Sequence, residues 1–566
     1  MPSLRARLFV ALALLFSART AHAVPTLASL GSLEREATED ALAARGLHVD
    51  PAPAGKAIGQ IHVFNHEVFS RRDGYTQLLN VFHVTTREYI IRREVLLQPG
   101  AIYDDALVDE TVRNLRDADF SSLVVILPIA TTTPGTVDLL VVTRDVWSLR
   151  FNTEFDYGEG TLRALSTSLS ENNLFGRRKK FSFAFAMDRG AYGIGPTYLD
   201  PNIAGTRLTF STSLRAYYPR HGGGGREGEF ASARIAYPLY SLATRWGAAL
   251  SASHSNNIRR EFFGNNLRRV DIAATSEREA LPRTYRMRSQ TVDAQVVRSF
   301  GGAVIQRVFL GYSLAVRRPS LLPDFPSNDP VVRAAFTRAV LPLSERVSSL
   351  YTSYNMFTPR YRVYRDYSTY DLREDAQLGP SVSLTLSKAA GWLGSEIDAV
   401  GMSTSAAWSL DIADGYQRLS LGWSGRVIDG TLFDQVRSGT LTLATPMLRR
   451  LVRIVGEIGA SVLISPSNAS AYYTAGADTG LRGYATGEFT GLVSYVAHLE
   501  ARSASVAVFT LRTGVVAFWD VGHAADRVAN LSARNDVGVG LRLLIPQLNF
   551  YVLRFDWAVP LQYGTF

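Results

Sequence analysis

Few residues in this chain have the types and spacing to do chemistry. His221 opens the run HGGGG, whose backbone N–H groups could form an oxyanion hole, but no G-x-S-x-G elbow exists to carry a nucleophile. The run also lies between alternating segments, where a hairpin loop is expected. His66 in NHEVF lacks the second histidine of a zinc-binding H-E-x-x-H helix, and the nine histidines show no ligand spacing elsewhere. There is no P-loop and no dinucleotide fingerprint. With no cysteine in the chain, thiolate nucleophiles, thiolate metal sites and disulfides are all excluded. The residues therefore argue against an enzyme and require neither cofactor nor metal.

What remains is ion-pair chemistry. The stretch TGLRGYATGEFTG, Thr479 to Gly491, sets Leu481, Arg482, Gly483 and Tyr484 inside a glycine-rich loop. Downstream, GLVSYVAHLEAR alternates: Ser494, Val496, His498, Glu500 and Arg502 share one face, and Tyr495, Ala497, Leu499 and Ala501 the other. In SVAVFTLRTGVVAFWDVG, Thr510, Arg512, Phe518 and Asp520 oppose Phe509, Leu511, Val515, Ala517 and Trp519. Glu500 and Asp520 are thus same-face carboxylates on successive strands, and the planar fork of a guanidinium suits such paired acceptors. Two arrangements satisfy this pattern. Either the loop folds back so that Arg482 meets both acids, or Arg482 is solvated at a loop tip and the acids pair with Arg502 or Arg512.

Positioning those residues requires a sheet. From Val146 to Phe566 the period is two: in WSLRFNTEFDY, Trp147, Leu149, Phe151, Phe155 and Tyr157 alternate with Ser148, Arg150, Asn152, Glu154 and Asp156. The same alternation recurs in KFSFAFAMD, TRLTFSTSLRAYY, QRLSLGWSGRV, LVRIVGEIGASVLI and DVGVGLRLLI. Clusters such as PRHGGGGREG and SHSNNIRREFFGNNLRR read as separators. Strands too numerous for a sandwich, with aromatic residues near their ends, predict an all-β transmembrane antiparallel barrel of about 16 strands embedded in lipid. Mean hydropathy of +0.01 fits such strands, and no apolar run beyond the N-terminus has the length of a spanning helix. That N-terminus, with Arg5 and Arg7, an apolar run Leu8–Phe16 and Ala21-His22-Ala23, reads as a secretory signal over residues 1–23. Export removes the chain from the cytoplasm, so the formal charge of +9, dispersed among strands, does not point to nucleic acid.

Between signal and barrel lie two pieces. Val24–Ala57 holds a helical segment, SLEREATEDALAARG, that reads as a surface helix, then the Pro-rich linker VDPAPAGKA. Ile58–Asp145 reads as a small α+β domain in the order βααββ. IGQIHVF alternates as a strand; TTREYIIRREVLL begins with Thr85 and Glu88 at capping-box spacing; Asp104 caps DALVDETVRNLRDA; and SLVVILPIA and GTVDLLVVT flank a TTTPG turn. This order resembles a POTRA domain, a periplasmic polypeptide-docking module.

The tetrapeptide Leu481-Arg482-Gly483-Tyr484, followed by Glu500 and then FWDVG, resembles the BamA/TamA superfamily of POTRA-bearing outer-membrane barrels, also called bacterial surface antigens. ENNLFGRRKK, LDPNIAGTRLTFS, GVGLRLLIP and LRFDWAVPL add to the resemblance, which spans Ile58 to Phe566. It implies that the loop arginine folds into the barrel and contacts Glu500 and Asp520. It also implies a seam between first and last strands, the first being Val146–Tyr157, and a single POTRA domain that docks client polypeptides in the periplasm of a Gram-negative bacterium. The function implied is insertion or translocation of β-barrel precursors or secreted protein without nucleotide, with periplasmic accessory proteins as possible partners. A passive pore or surface-exposed structural barrel is the alternative. In the family a further strand follows the LRFDWAVPL segment; here QYGTF follows, with Phe566 as the terminal aromatic.

Overall fold

The computed structural model describes Leu27 and residues 30–562, apart from 70, 117–120, 159, 223, 264, 273–278, 366, 368–372, 469–470, 509–510 and 546–551. The signal segment, Phe509, Thr510 and Phe566 lie outside the described residues. The chain divides into two compact units: one of residues up to Asn80 with Thr85–Val146, the other of Val81–Val84 with Trp147 onward.

The first unit is built on three strands, β1 (Ala57–His66), β2 (Ser121–Ala130) and β3 (Thr136–Asp145). β3 is central, parallel to β1 and antiparallel to β2. β2 and β3 are apolar almost without interruption, which is the pattern of strands covered on both faces. Helices α2 (Glu88–Glu94) and α3 (Asp105–Leu115) cover one face through Ile91, Val108 and Leu115, packed on Val124, Ile126, Leu139 and Val141. The Asp104 side chain accepts a hydrogen bond from Ala106 N at 2.8 Å and so caps α3. The Thr85–Glu88 capping box does not form: α2 starts after Arg87 without a side-chain cap, and Glu88 instead pairs with Arg92 one turn on.

The other face is covered by α1 (Ser32–Arg45), which corrects the surface-helix reading. Ala37 and Ala41, one turn apart, are fully buried against the side of β2 and β3 that carries Leu123, Val125, Leu127, Leu140 and Val142. Two methyl groups at that spacing leave no conspicuous apolar stripe, yet they let a helix approach a sheet closely. Arg45 Nη2 donates to Val63 O at 3.0 Å, and His66 Nε2 lies 2.9 Å from Ala37 O, tying α1 to β1.

In the second unit, antiparallel strands run in sequence order from Leu149–Gly158 to Leu553–Pro560 in one large sheet, and in that order the last neighbours the first. Of its 21 segments, Arg360–Arg365 continues Glu345–Phe357 along one partner strand, and Val506–Val508 continues Val493–Ser503 along another. Nineteen strands are therefore described, not about sixteen. Part of the shortfall lies in strands whose alternation is carried by Ser, Thr, Ala and Asn. Ser253–Arg260, read as a separator, is the end of the strand Trp246–Arg260 and pairs in unbroken register with Thr284–Thr291.

The two faces of this sheet differ in chemistry. Leu419, Leu441 and Ile458 lie opposite one another across three strands, and Leu499, Trp519, Val537 and Val559 across four more, all exposed. The other face carries ion pairs such as Arg426–Glu345 and Arg426–Asp434. A continuous apolar surface on this scale is foreign to a water-exposed protein. No helix among the described residues is long and apolar enough to cross a membrane.

Candidate functional site

Four successive strands form the floor of the site: Val493–Ser503, Leu511–Ala525, Arg534–Leu544 and Leu553–Pro560. Register places His498 opposite Asp520 and Asp520 opposite Asp536; Glu500 faces Phe518, Phe518 faces Gly538, and Gly540 faces Asp556. Because side chains alternate, all of these project from the face opposite Leu499 and Trp519. The segment between Ile464 and Val493 folds over that floor. It is framed by a short antiparallel pair, Tyr473–Ala475 with Phe489–Gly491.

The tip of this loop is fixed by its own turns. Leu481 N donates to Gly476 O at 2.9 Å and Tyr484 N to Leu481 O at 3.1 Å. Gly480 sits at φ +103°, a conformation L side chains rarely adopt, and a Cβ there would strike the His498 ring. Leu481 is fully buried with Tyr484, Ala475 and Ala524, while the Tyr484 hydroxyl donates to Asn535 O or Gln562 O, each 3.1 Å away. This apolar plug holds the neighbouring arginine in place.

Arg482 grips Asp520 with both prongs of its fork, Nε to Oδ2 and Nη2 to Oδ1, each at 2.7 Å. Its Nη1 donates to Glu500 Oε1 at 2.8 Å and reaches Asp556 Oδ2 at 3.4 Å. The guanidinium also lies over the Phe518 ring, 3.4 Å from its centroid. Burial disfavours the charge, but the paired bonds from Asp520 prevail and Glu500 adds to them, so the Arg482 pKa lies above the ordinary arginine value. The acids are shared further: His498 Nδ1 is 3.0 Å from Asp520 Oδ1, Arg502 Nε donates to Glu500 Oε2 at 2.7 Å, and Arg542 Nη1 donates to Asp556 Oδ1 at 2.5 Å.

All six residues singled out in the sequence, Leu481, Arg482, Gly483, Tyr484, Glu500 and Asp520, thus meet in one cluster. Of the two arrangements open at the sequence level the structure has the first, with Arg482 on both acids, and Arg502 holds the second oxygen of Glu500 as well. Two residues were missed. Asp536 accepts Gly483 N–H at 3.1 Å, and Asp556 is the third carboxylate near Arg482. Alternation in NDVGVGLRLLI and LRFDWAVPL carries the signal for both, since each acid alternates with apolar residues of the opposite face.

Gly483 offers a test that leaves every charge in place. A Cβ at this position would lie 2.6 Å from Asp536 Cβ and 3.0 Å from Pro560 N, so the loop tip must lift. Overpacking of this kind costs about 1–3 kcal/mol. Gly483→Ala should therefore raise tryptic cleavage after Arg482 by roughly tenfold, about 1.4 kcal/mol of easier opening.

No family model and no curated protein matches the chain. Among solved structures, it is similar to BamA from Haemophilus ducreyi lacking POTRA domains 1-3, at 13% identity and TM-score 0.35, over 90% of this chain and 82% of that one. It is also similar to CdiB from Acinetobacter baumannii, at 11% identity and TM-score 0.39 over 90% and 71% of the two chains. A third similar structure is CdiB from Escherichia coli, at 10% identity and TM-score 0.44 over 96% and 82%.

Proposed function

We propose that the large sheet closes as an outer-membrane β-barrel that inserts or translocates polypeptides. Its exposed apolar face meets lipid, and its charged face lines the lumen. The loop of Arg482 is an internal latch. The first unit is a POTRA domain on the periplasmic side that docks clients, and no cofactor takes part. The observation that carries this reading is the grip of a single loop arginine on carboxylates from three strands, one of them Leu553–Pro560, next in strand order to Leu149–Gly158.

That neighbourhood supports a seam. Nineteen strands alternating in direction leave the first and last running the same way, so only a parallel ladder can join them. Parallel pairing is slightly weaker per residue, and a loosened strand edge is a template for an incoming strand. The latch fastens Leu553–Pro560 and its neighbours and so holds one side of the seam in register.

The test is reconstitution of the full chain in liposomes, with an unfolded eight-stranded outer-membrane barrel added as client. Folding of the client into a protease-resistant form several-fold faster than in empty liposomes is expected. Ion conductance with no acceleration of the client would replace this reading with that of a passive pore.

A further inference from the structure

Small side chains open a recess on the charged face of the large sheet. Five neighbouring strands carry it: Ile305–Ser320, Glu345–Phe357, Arg373–Ala389, Ala399–Ile412 and Gly415–Ile428. Register aligns Asn355 with Ser383 and Ser405, and Phe357 with Ser381, Ala407 and Ser420. These residues alternate with the exposed Leu350, Leu386, Trp408 and Leu419, so they stand on the opposite face. Serine and alanine on three adjoining strands leave space that larger side chains would fill, and the cavity there measures about 450 Å³. That lies within the range of small-molecule sites and exceeds what a bare inorganic ion needs.

The charge of this recess is one-sided. Arg307, directly opposite Asn355, borders it on the first of the five strands and Arg418, opposite Ser409, on the fifth; no acidic residue lines it. Arg426, on the same strand as Arg418, is paired by Glu345 and Asp434. By contrast, neither Arg307 nor Arg418 has a carboxylate partner among the described residues. None of the Arg307 guanidinium nitrogens donates to a group among those residues, and its Nε is buried. A buried cationic donor without an acceptor is costly. Arg307 is nevertheless held in place, with its guanidinium over the Phe357 ring, 4.9 Å from the centroid. Beside it, Asn355 Oδ1 accepts the Ser383 hydroxyl at 2.7 Å, which leaves the Asn355 NH₂ as a free donor. Arg418 Nη1 donates to Ser409 Oγ at 2.9 Å. The hydroxyls of Ser381, Ser405 and Ser420 make no hydrogen bond among the described residues.

We propose that this recess binds a phosphorylated sugar. Phosphate oxygens accept from the terminal nitrogens of Arg307 and from the Asn355 amide, since a planar guanidinium suits that group. The sugar hydroxyls exchange hydrogen bonds with Ser381, Ser405 and Ser420, and Arg418 donates to an oxygen at the far side. Inorganic phosphate would leave the serines unused, and a neutral sugar would leave Arg307 uncompensated. The recess faces away from the exposed apolar surface, so its ligand is a free, water-soluble molecule and not the headgroup of a lipid.

Calorimetric titration of the full chain in non-ionic detergent and phosphate-free buffer separates these contributions. Glucose 6-phosphate should bind at least about tenfold more tightly than either glucose or inorganic phosphate. Arg307→Gln should weaken glucose 6-phosphate by roughly tenfold and leave glucose unchanged, and Arg307→Lys should recover only part of the loss. Ser405→Ala combined with Ser420→Ala, a change that removes no charge, should bring glucose 6-phosphate toward inorganic phosphate without altering the latter. Arg317→Gln lies on the same strand as Arg307 but outside the cavity, where Arg317 pairs with Glu345, and should bind as the parent does. Inorganic phosphate binding as tightly as glucose 6-phosphate would overturn the sugar assignment. Parent-like affinity in Arg307→Gln, or no saturable binding of glucose 6-phosphate to the parent chain, overturns the site itself.

Discussion

Asp520→Asn is expected to open the Arg482–Gly483 bond to trypsin about 100-fold faster than in the parent chain, given a local opening made easier by ~3 kcal/mol. Arg482 is the only lysine or arginine between Ser465 and Leu492, so cleavage within this loop reports on that one side chain. In the parent its side chain is 17% exposed and bound on both prongs by Asp520. Asparagine keeps the shape but withdraws the charge, and its amide turns one of the two acceptors into a donor facing a donor. Removing one member of a buried pair typically costs about 3–5 kcal/mol, and the lower figure applies where water reaches the lumen. Glu500→Gln should do less: Glu500 receives one bond from Arg482, and Arg502 holds its other oxygen. Fragments ending at Arg482 and beginning at Gly483 would be read by mass. The variant should still migrate as a folded species before boiling. Cleavage of Asp520→Asn no faster than that of the parent, with the barrel folded, would mean that the carboxylate does not hold the loop.

The acids of this site were legible because a strand whose two faces meet different surroundings must alternate, and alternation fixes which side Glu500 and Asp520 take. It does not say that a glycine-rich loop folds back over them; that expectation came from the resemblance carried by Leu-Arg-Gly-Tyr. Asp536 and Asp556 escaped because placing them beside Asp520 and Arg482 depends on register across hairpins, which the connecting loops set and the strand pattern does not. The strand count was under-read for a related reason. Ser, Thr, Ala and Asn serve on strands such as Trp246–Arg260 as well as in turns, so a polar cluster can be either. In the first unit, the unbroken apolar run of β2 fits a sheet covered on both sides, but α1 was read as a surface helix because its covering residues, Ala37 and Ala41, are too small to stand out in the pattern.

Those contacts also decide what loss of the arginine itself should do. Arg482→Ala removes a loop-tip contact from a sheet whose strands are joined by long backbone ladders, so the sheet should still fold. The site would suffer more. Asp520 loses both bonds from the guanidinium and keeps His498, while Asp536, directly opposite it on the next strand, keeps the Gly483 N–H. Glu500 and Asp556 retain Arg502 and Arg542. With its grip on the floor gone the loop tip should lift, and Leu553–Pro560 loses the tether that, in the proposed function, sets it for the seam. Client folding in the liposome assay should fall roughly tenfold or more, since even half of the ~3 kcal/mol lost at the latch is enough for that factor. Arg482→Lys separates charge from geometry. An ammonium supplies the positive charge but cannot fork onto both Asp520 oxygens while reaching Glu500 and lying flat on Phe518, so it should restore only part of the activity. Full activity in the lysine variant would assign the latch to charge alone, and full activity in the alanine variant would remove Arg482 from the mechanism.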